Sequence, residues 1–387
     1  MRTELSEFLA GIGKPRIAVV GDAIVDEYVW GEVERISPEA PIPVLKVSRR
    51  EHRAGGAGSV VTNLACLGAE VRFFSVRGDD AAGARLVSLL EGDGIDPRGV
   101  LIDASRPTTS KTRHVGYVQH ANRAMQQLLR VDDEVRKPIE EATIRSLVER
   151  FQRCARDLDA VLVSDYHKGL ISAGLMKHLR EAAPRASFLV DPALVDDYSL
   201  YRGTSLICPN RYEASRSSGI RCDDLQGCAR AAEKLAMELD LGSVALTMDR
   251  DGIYLHERGG AAKHFPTRAR VVADVTGAGD MVLSVLGLVV AAGGSLPQAV
   301  ELANIAAGIE VRKIGVTPVG REEILQEIRF AGHPGVGKVK KLDDLRPLVR
   351  EAQQGGRRVV FANGCFDLRH RGHRHLLCGA ARMGDIL

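Results

Sequence analysis

The sequence predicts an α/β domain built on a largely parallel sheet, and three observations carry that prediction. Short apolar runs at residues 16–20, 71–76, 160–164, 188–191, 205–208 and 243–248 end at Gly, Asp, Ser or Pro, as buried strands do. Amphipathic stretches such as 142–157 and 225–239 lie between most of them. Alternating strands and helices of this kind form a parallel sheet whose strand-end loops hold the chemistry. Thirdly, segments 27–47 and 108–131 break the rhythm with polar/apolar alternation rich in β-branched and aromatic residues. They predict a small antiparallel sheet standing off the main one, able to cover a site or pair two subunits. Its apolar positions Trp30, Val33 and Val115 are ones a monomer would leave wet.

The end of the chain reads differently. Residues 322–329 form the last helix of the first unit, and a Gly/Pro/Lys segment at 331–341 reads as a linker. A new start follows, with Asp343 and Asp344 as helix caps, Pro347 in the first turn, a strand at 357–362 and a helix at 372–383. The expected division is therefore 1–330, a linker at 331–342, and 343–387. A strand–helix pair this small cannot bury its own faces, so the second unit is expected to be incomplete.

Composition narrows the function classes. The 387 residues are 45% apolar and 27% charged, ordinary for a globular protein of two or three domains. A net charge of +3 provides no field that would draw nucleic acid or membrane, although residues 331–387 hold eleven Lys/Arg against five Asp/Glu. The seven cysteines form no C-x-x-C pair, which fits a reducing compartment. Glu4 and Glu7 stand where a signal peptide needs an apolar run, and the longest apolar stretch, 281–292, is too short to span a bilayer. A soluble cytoplasmic protein with no nucleic-acid or membrane partner is expected.

The sharpest motif is Asp274-Val275-Thr276-Gly277-Ala278-Gly279-Asp280 before that apolar helix. Small residues at a helix start leave backbone N–H groups open to an anion, and Asp280 beside them can take a proton from an attacking hydroxyl. This D-x-T-G-A-G-D run resembles the signature of the ribokinase-like, or phosphofructokinase B, carbohydrate kinases. The resemblance covers about residues 14–330 and implies a mostly parallel sheet with helices on both faces and a small β lid. It implies ATP and Mg²⁺ as cofactors, Asp280 as base and Gly277, Ala278 and Gly279 as anion hole. Asp22 and Asp26 match the family's sugar-binding start, and Gly55, Gly56 and Asn63 its second signature. Asn210 and Glu213 match the N-x-x-E motif that organises magnesium, through water, and phosphate. Thr247, Gly252, Asn304 and Gly308 match the segments lining the ATP pocket.

Within that family, the run from Arg35 to Val44, Lys111-Thr112-Arg113 and Ser164 to Gly169 resemble the heptose-7-phosphate kinases. Arg35, Lys111, Arg113 and Lys168 are then candidates for the cations that a phosphosugar needs away from its reacting hydroxyl. Similar kinases pair their lids, which implies a homodimer. Three positions depart from the pattern: Ser59 stands where Asn is usual, Ala193 replaces a Lys, and Met281 replaces a small or β-branched residue.

Residues 361–367 and His370-Arg371-Gly372-His373 resemble the opening of a cytidylyltransferase-like adenylyltransferase, whose H-x-G-H pair contacts nucleotide phosphates. Together the two parts resemble the bifunctional heptose-7-phosphate kinase/heptose-1-phosphate adenylyltransferases of ADP-heptose and lipopolysaccharide-core biosynthesis. The implied activity is phosphorylation of D-glycero-D-manno-heptose 7-phosphate at its anomeric hydroxyl, without adenylyl transfer. A kinase for another sugar, or an idle relic with an assembly role, are the alternatives. The G-x-x-x-x-G-K run at 332–338 lacks both a preceding strand and the following hydroxyl of a P-loop. His370, His373 and His375 lack a carboxylate or Cys at ligand spacing.

Overall fold

Strands without a polar face need cover on both sides. The first of them, β1 (Arg16–Gly21), has it, with Ile17 to Val20 wholly buried. The structure, a computed structural model, describes residues 2–118, 125–267, 277–313, 317–330, 342–364 and 371–387. These form two units, Met1–Leu325 and Gln326–Leu387.

In the first unit, β2 (Ala23–Ile36) and β3 (Pro43–Gly56) make a long hairpin. The chain returns to the main sheet with β4 (Glu70–Arg77) and β5 (Val100–Ile102), then leaves it again as β6 (Ser110–Val118) and β7 (Met125–Asp133). β8 (Ala160–Ser164), β9 (Ser187–Asp191), β10 (Leu206–Ile207) and β11 (Ser243–Thr247) extend the main sheet. β12 (Ile253–Glu257) and β13 (Ala262–Phe265) close its edge in antiparallel fashion. Among the described residues the main sheet has nine strands, ordered β13-β12-β11-β10-β9-β8-β1-β4-β5, all parallel apart from that edge. The parallel α/β expectation holds. β5, β12 and β13 lie outside the predicted strands: β5 is apolar but only three residues long, and β12 and β13 mix polar with apolar residues.

The helix Ala278–Ala291 has no polar face, and residues 280 to 289 are buried throughout. Its backbone lies so close to β8 that a side chain on Gly287 would meet Leu162 at 2.6 Å. The helix start is thereby held at the strand ends.

The second sheet, ordered β3-β2-β6-β7, is the expected off-sheet lid, but it is mixed rather than antiparallel. The hairpins β2–β3 and β6–β7 are antiparallel, and β2 pairs with β6 in parallel because the chain returns to the main sheet between them. Its apolar positions differ from expectation. Trp30 and Val115 are only 3% and 5% exposed, and Val33 is half-buried. They face each other across β2 and β6, the Trp30 ring stacks between Tyr28 and Tyr117, and the Arg49 guanidinium lies 4.8 Å from it. Aromatics on one face of a sheet cover one another, so these residues do not leave a wet surface. The exposed apolar residues of the lid are instead Ile36, Ile42, Val47, Leu129 and Val131.

In the second unit, the helices Leu342–Gln354 and Arg371–Ala381 accompany a single parallel bridge, Val359 to Ile386. The expected strand at 357–362 is reduced to that bridge, since the described residues offer it no neighbouring strand. Phe361, Leu376, Leu377 and Met383 are exposed. Most of the linker, with Asp274 to Thr276 and His370, lies outside the described residues.

Candidate active site

Asp280 is the centre of the site. It sits in the first turn of the buried helix, 5% exposed, three residues after the N-cap Gly277, which adopts the left-handed conformation (φ 93°) that glycine favours. A side chain on Gly279 would meet nothing nearer than Asp191 Oδ2 at 3.9 Å, so the helix start faces open space. Burial pushes the Asp280 carboxyl up to about 7, and the Asp26 charge adds to the rise. Tyr166, the Ser59 hydroxyl and Lys111 work in the opposite direction. A carboxylate near neutrality beside an open helix N-terminus can accept a proton while the backbone receives an anion.

The main sheet and the lid supply the acceptor side. Asp26 on β2 is buried and paired with Arg113 on β6 in a close ion pair. A Cβ on Gly55 would lie 2.0 Å from Asp26 Oδ2, so glycine there permits the approach of the two strands. Gly56 (φ 56°) then turns the chain into the helix Ala57–Cys66. On that helix, Asn63 Nδ2 is buried without a protein hydrogen-bond partner, Ser59 stands beside Asp280, and both residues border a cavity of about 270 Å³. Lys111 reaches over the Tyr166 ring, 5.3 Å from its centre, and burial lowers its ammonium pKa.

Asp22 does not face this space freely. Its Oδ2 accepts from the backbone N–H groups of Tyr166 (2.9 Å) and Lys168 (3.1 Å), which pins the loop after β8. Desolvation, with the nearby Asp165 charge, pushes Asp22 up to about 6. The Lys168 ammonium is bonded to Glu134, which also holds Arg136 at 3.1 Å. Arg35 is exposed and lies nine residues along β2 from Asp26, about 30 Å away at ~3.3 Å per residue. It is not brought to this site within the chain.

A cavity of about 420 Å³ lies at the helix start, bordered by Gly279, Asn210, Glu213, Thr247, Asp191 and Arg136. Asn210 and Glu213 form a capping box on the helix Arg211–Ser218. The Asn210 side chain accepts from the N–H groups of Tyr212 and Glu213, and Glu213 Oε2 accepts from Asn210 N at 2.8 Å. Thr247 bridges to Asn210 at the end of β11. Burial pushes Glu213 up to about 7, and it raises Asp191 together with the charges of Glu213, Asp280 and Asp165. This excess of negative charge suits a divalent cation. Among the described residues, however, no three His, Cys, Asp or Glu side chains converge to hold one directly. A cation would therefore meet this wall through water or through a ligand's phosphates.

Gly252 (φ 97°) and Asn304 both meet the end of β13. A Cβ on Gly252 would lie 2.0 Å from the Phe265 carbonyl, and Asn304 Nδ2 donates to the carbonyls of Phe265 and Pro266. Gly308 lies one turn beyond Asn304 on the helix Leu296–Glu310. These residues shape one wall rather than bordering the cavity. His373 opens the helix Arg371–Ala381 of the second unit.

Three contributors are not marked as site residues by the sequence, although Tyr166 lies within the Ser164-to-Gly169 run. Tyr166 hydrogen-bonds to Asp280 across 114 residues, Tyr201 donates to Asp165, and Glu134 joins Lys168 to Arg136. None stands at a motif spacing from its partner.

The family model described as pfkB family carbohydrate kinase matches residues 14–322. A protein named bifunctional protein HldE from Geobacter sulfurreducens is 40% identical over all of this chain and 78% of its own length. Its namesake from Geobacter metallireducens is 41% identical over 95% of this chain and 74% of its own. Among solved structures, Arabidopsis thaliana ribokinase with ribose and ATP aligns over 82% of this chain and 99% of its own, with TM-score 0.64 and 20% identity. Escherichia coli phosphofructokinase-2 with substrates and products aligns over the same shares, with TM-score 0.66 and 16% identity. The two structures share this chain's fold. Among the described residues no helix is long and apolar enough to cross a membrane.

Proposed function

The chain belongs to the pfkB family of carbohydrate kinases, and on that premise we propose that it transfers the γ-phosphoryl group of ATP to the anomeric hydroxyl of D-glycero-D-manno-heptose 7-phosphate. The observation that carries this reading is the buried Asp280 carboxylate, which follows an open helix start: its neighbour Gly279 borders one cavity, and Ser59, which acts on its carboxyl, borders the other. The acceptor lies on the lid side, where Asp26, Ser59 and Asn63 offer hydrogen bonds to its hydroxyls. Asp280 takes the proton of the reacting hydroxyl, and the N–H groups at Gly277, Ala278 and Gly279 receive the charge of the transferred phosphoryl group. ATP occupies the cavity bordered by Thr247, Asn210 and Gly279. Mg²⁺, held through water by Asn210, Glu213 and Asp191, neutralises phosphate charge when bound.

Lys111 is the cation best placed for the 7-phosphate, because Arg113 and Lys168 already hold carboxylates. The product, a 1,7-bisphosphate, places the reaction in ADP-heptose formation in the cytoplasm. This chain by itself performs no adenylyl transfer: the described part of its second unit holds one bridge and no sheet. Ser59, shorter than the Asn usual there, keeps a second reading in view, a kinase of this family for another sugar phosphate.

Two copies pair through their lids, joined by the exposed Ile42, Leu129 and Val131. Light scattering should give a dimer at micromolar concentration and a monomer for Leu129→Asp, and a wild-type monomer would count against the pairing. The function is tested by ADP release against a panel of sugars. Heptose 7-phosphate should exceed ribose, fructose 6-phosphate and the unphosphorylated heptose in kcat/KM; preference for an unphosphorylated sugar would reject the reading.

A further inference from the structure

We propose that Tyr166 is a positioning residue for the base: its phenol fixes one oxygen of Asp280 and leaves the other to face the acceptor hydroxyl. The inference rests on the kinase reading above. The Tyr166 hydroxyl donates to Asp280 Oδ1 at 2.9 Å. The direction of donation is set by chemistry, since burial and the Asp280 charge push the phenol well above its ordinary pKa and keep it protonated.

The phenol is itself held firmly. Asp22 binds the backbone N–H groups on either side of His167, at Tyr166 and Lys168. Asp165 accepts from His167 N at 2.8 Å and from the Tyr201 hydroxyl at 2.7 Å. His167 adopts φ 55°, a left-handed conformation uncommon for a residue with a side chain, which these bonds sustain. Two buried carboxylates at the ends of β1 and β8 thus clamp a turn that aims the Tyr166 phenol at the base. The Lys111 ammonium, from lid strand β6, covers the other side of the ring at 5.3 Å. A carboxylate fixed at one oxygen presents the other in a single direction, and such alignment of base and hydroxyl is a large part of what a kinase supplies.

Removing the phenol has a readable consequence. A hydrogen bond to the ionised form favours ionisation, so its loss moves Asp280 upward and shifts the acid limb of kcat/KM to higher pH. The other groups facing Asp280 remain in place: Asp26 from β2 and Asp191 from β9, which oppose ionisation, the Ser59 hydroxyl and Lys111 from β6, which favour it, and the protonated Cys208 thiol after β10.

The experiment compares the full-length wild type, Tyr166→Phe, Asp280→Asn and a protein carrying 3-fluorotyrosine at position 166, assayed with ATP, Mg²⁺ and heptose 7-phosphate from pH 5.5 to 9. Tyr166→Phe should lose about tenfold or more in kcat at pH 7 with KM for ATP within about twofold. Its acid limb should move up by about one unit. The fluorinated phenol is a stronger donor of the same shape, so its limb should move down. An unmoved limb in both overturns the inference; if Tyr166→Phe fails to fold, the fluorinated protein decides alone. Asp280→Asn separates the two levels of argument. Wild-type turnover there rejects Asp280 as the base and the role of Tyr166 with it. An inactive Asp280→Asn beside an unmoved Tyr166 limb rejects only the role of Tyr166, and a wild type that releases no ADP with heptose 7-phosphate rejects the kinase reading itself.

Discussion

Asp280→Asn should make the protein a far poorer enzyme and a more stable one. The carboxylate's shift from 3.8 to about 7 means that folding works against its ionisation. At about 1.4 kcal/mol per unit, roughly three units amount to about 4 kcal/mol as a ceiling, and about 1–3 kcal/mol once the site relaxes. The sign follows from the raised value. Stability associated with protonated Asp280 is fully present below the unfolded value near 3.8 and is lost as pH rises through about 7. Asparagine has the same shape, keeps an oxygen to accept from Tyr166 and carries no charge at any pH. The melting temperature of Asp280→Asn should therefore exceed that of the wild type by a few degrees at pH 8, with the gap closing toward pH 4. Turnover should fall by about 10²–10⁴, the usual contribution of a general base, while ATP binding stays nearly intact. Calorimetric scans at pH 4.5, 6 and 8, with single-turnover kinetics, test both halves. A melting-temperature gap that does not change with pH would refute the claim that burial strains this carboxylate, and wild-type turnover would refute its role as base.

Three further predictions rest on other parts of the site. Gly279→Val should leave the melting temperature within a degree or two, because the nearest atom to a new Cβ is 3.9 Å away. It should nevertheless cut kcat/KM for ATP by about 10²-fold or more by filling the phosphate-facing space, as steady-state kinetics would show. Gly55→Ala puts a Cβ 2.0 Å from Asp26 Oδ2 and must displace that carboxylate or its strand. KM for the sugar should rise about tenfold or more with KM for ATP little changed, and equal effects on both would contradict the placement of Asp26 on the acceptor side. Removal of residues 331–387 should leave kinase turnover within about twofold, since Arg321 already ties the last helix of the kinase to the carbonyls of Ile12, Gly13 and Leu67. The intact chain, given ATP and heptose 1-phosphate, should release no pyrophosphate. Release that His373→Ala abolishes would restore a second activity.

What the sequence determined by itself is what short-range physics encodes. Apolar runs such as Ile17–Val20 marked buried strands, because a segment without a polar face must be covered on both sides. Gly277 to Asp280 marked a helix start that faces open space, because glycine and the backbone N–H groups act where they stand. Asn210 and Glu213 were legible for the same reason, although the structure adds that they cap their own helix. The two lid segments were legible as strands, yet which of their faces would be wet was not. Trp30 and Val115 lie 85 positions apart and are hidden only because β2 and β6 align in register. Tertiary structure alone decided the electrostatics of the site. Asp26 with Arg113, Lys168 with Glu134 and Asp280 with Tyr166 join residues separated by 87, 34 and 114 positions. A carboxylate's proton affinity depends on the charges and the solvent around it, and chain folding rather than neighbouring sequence supplies both.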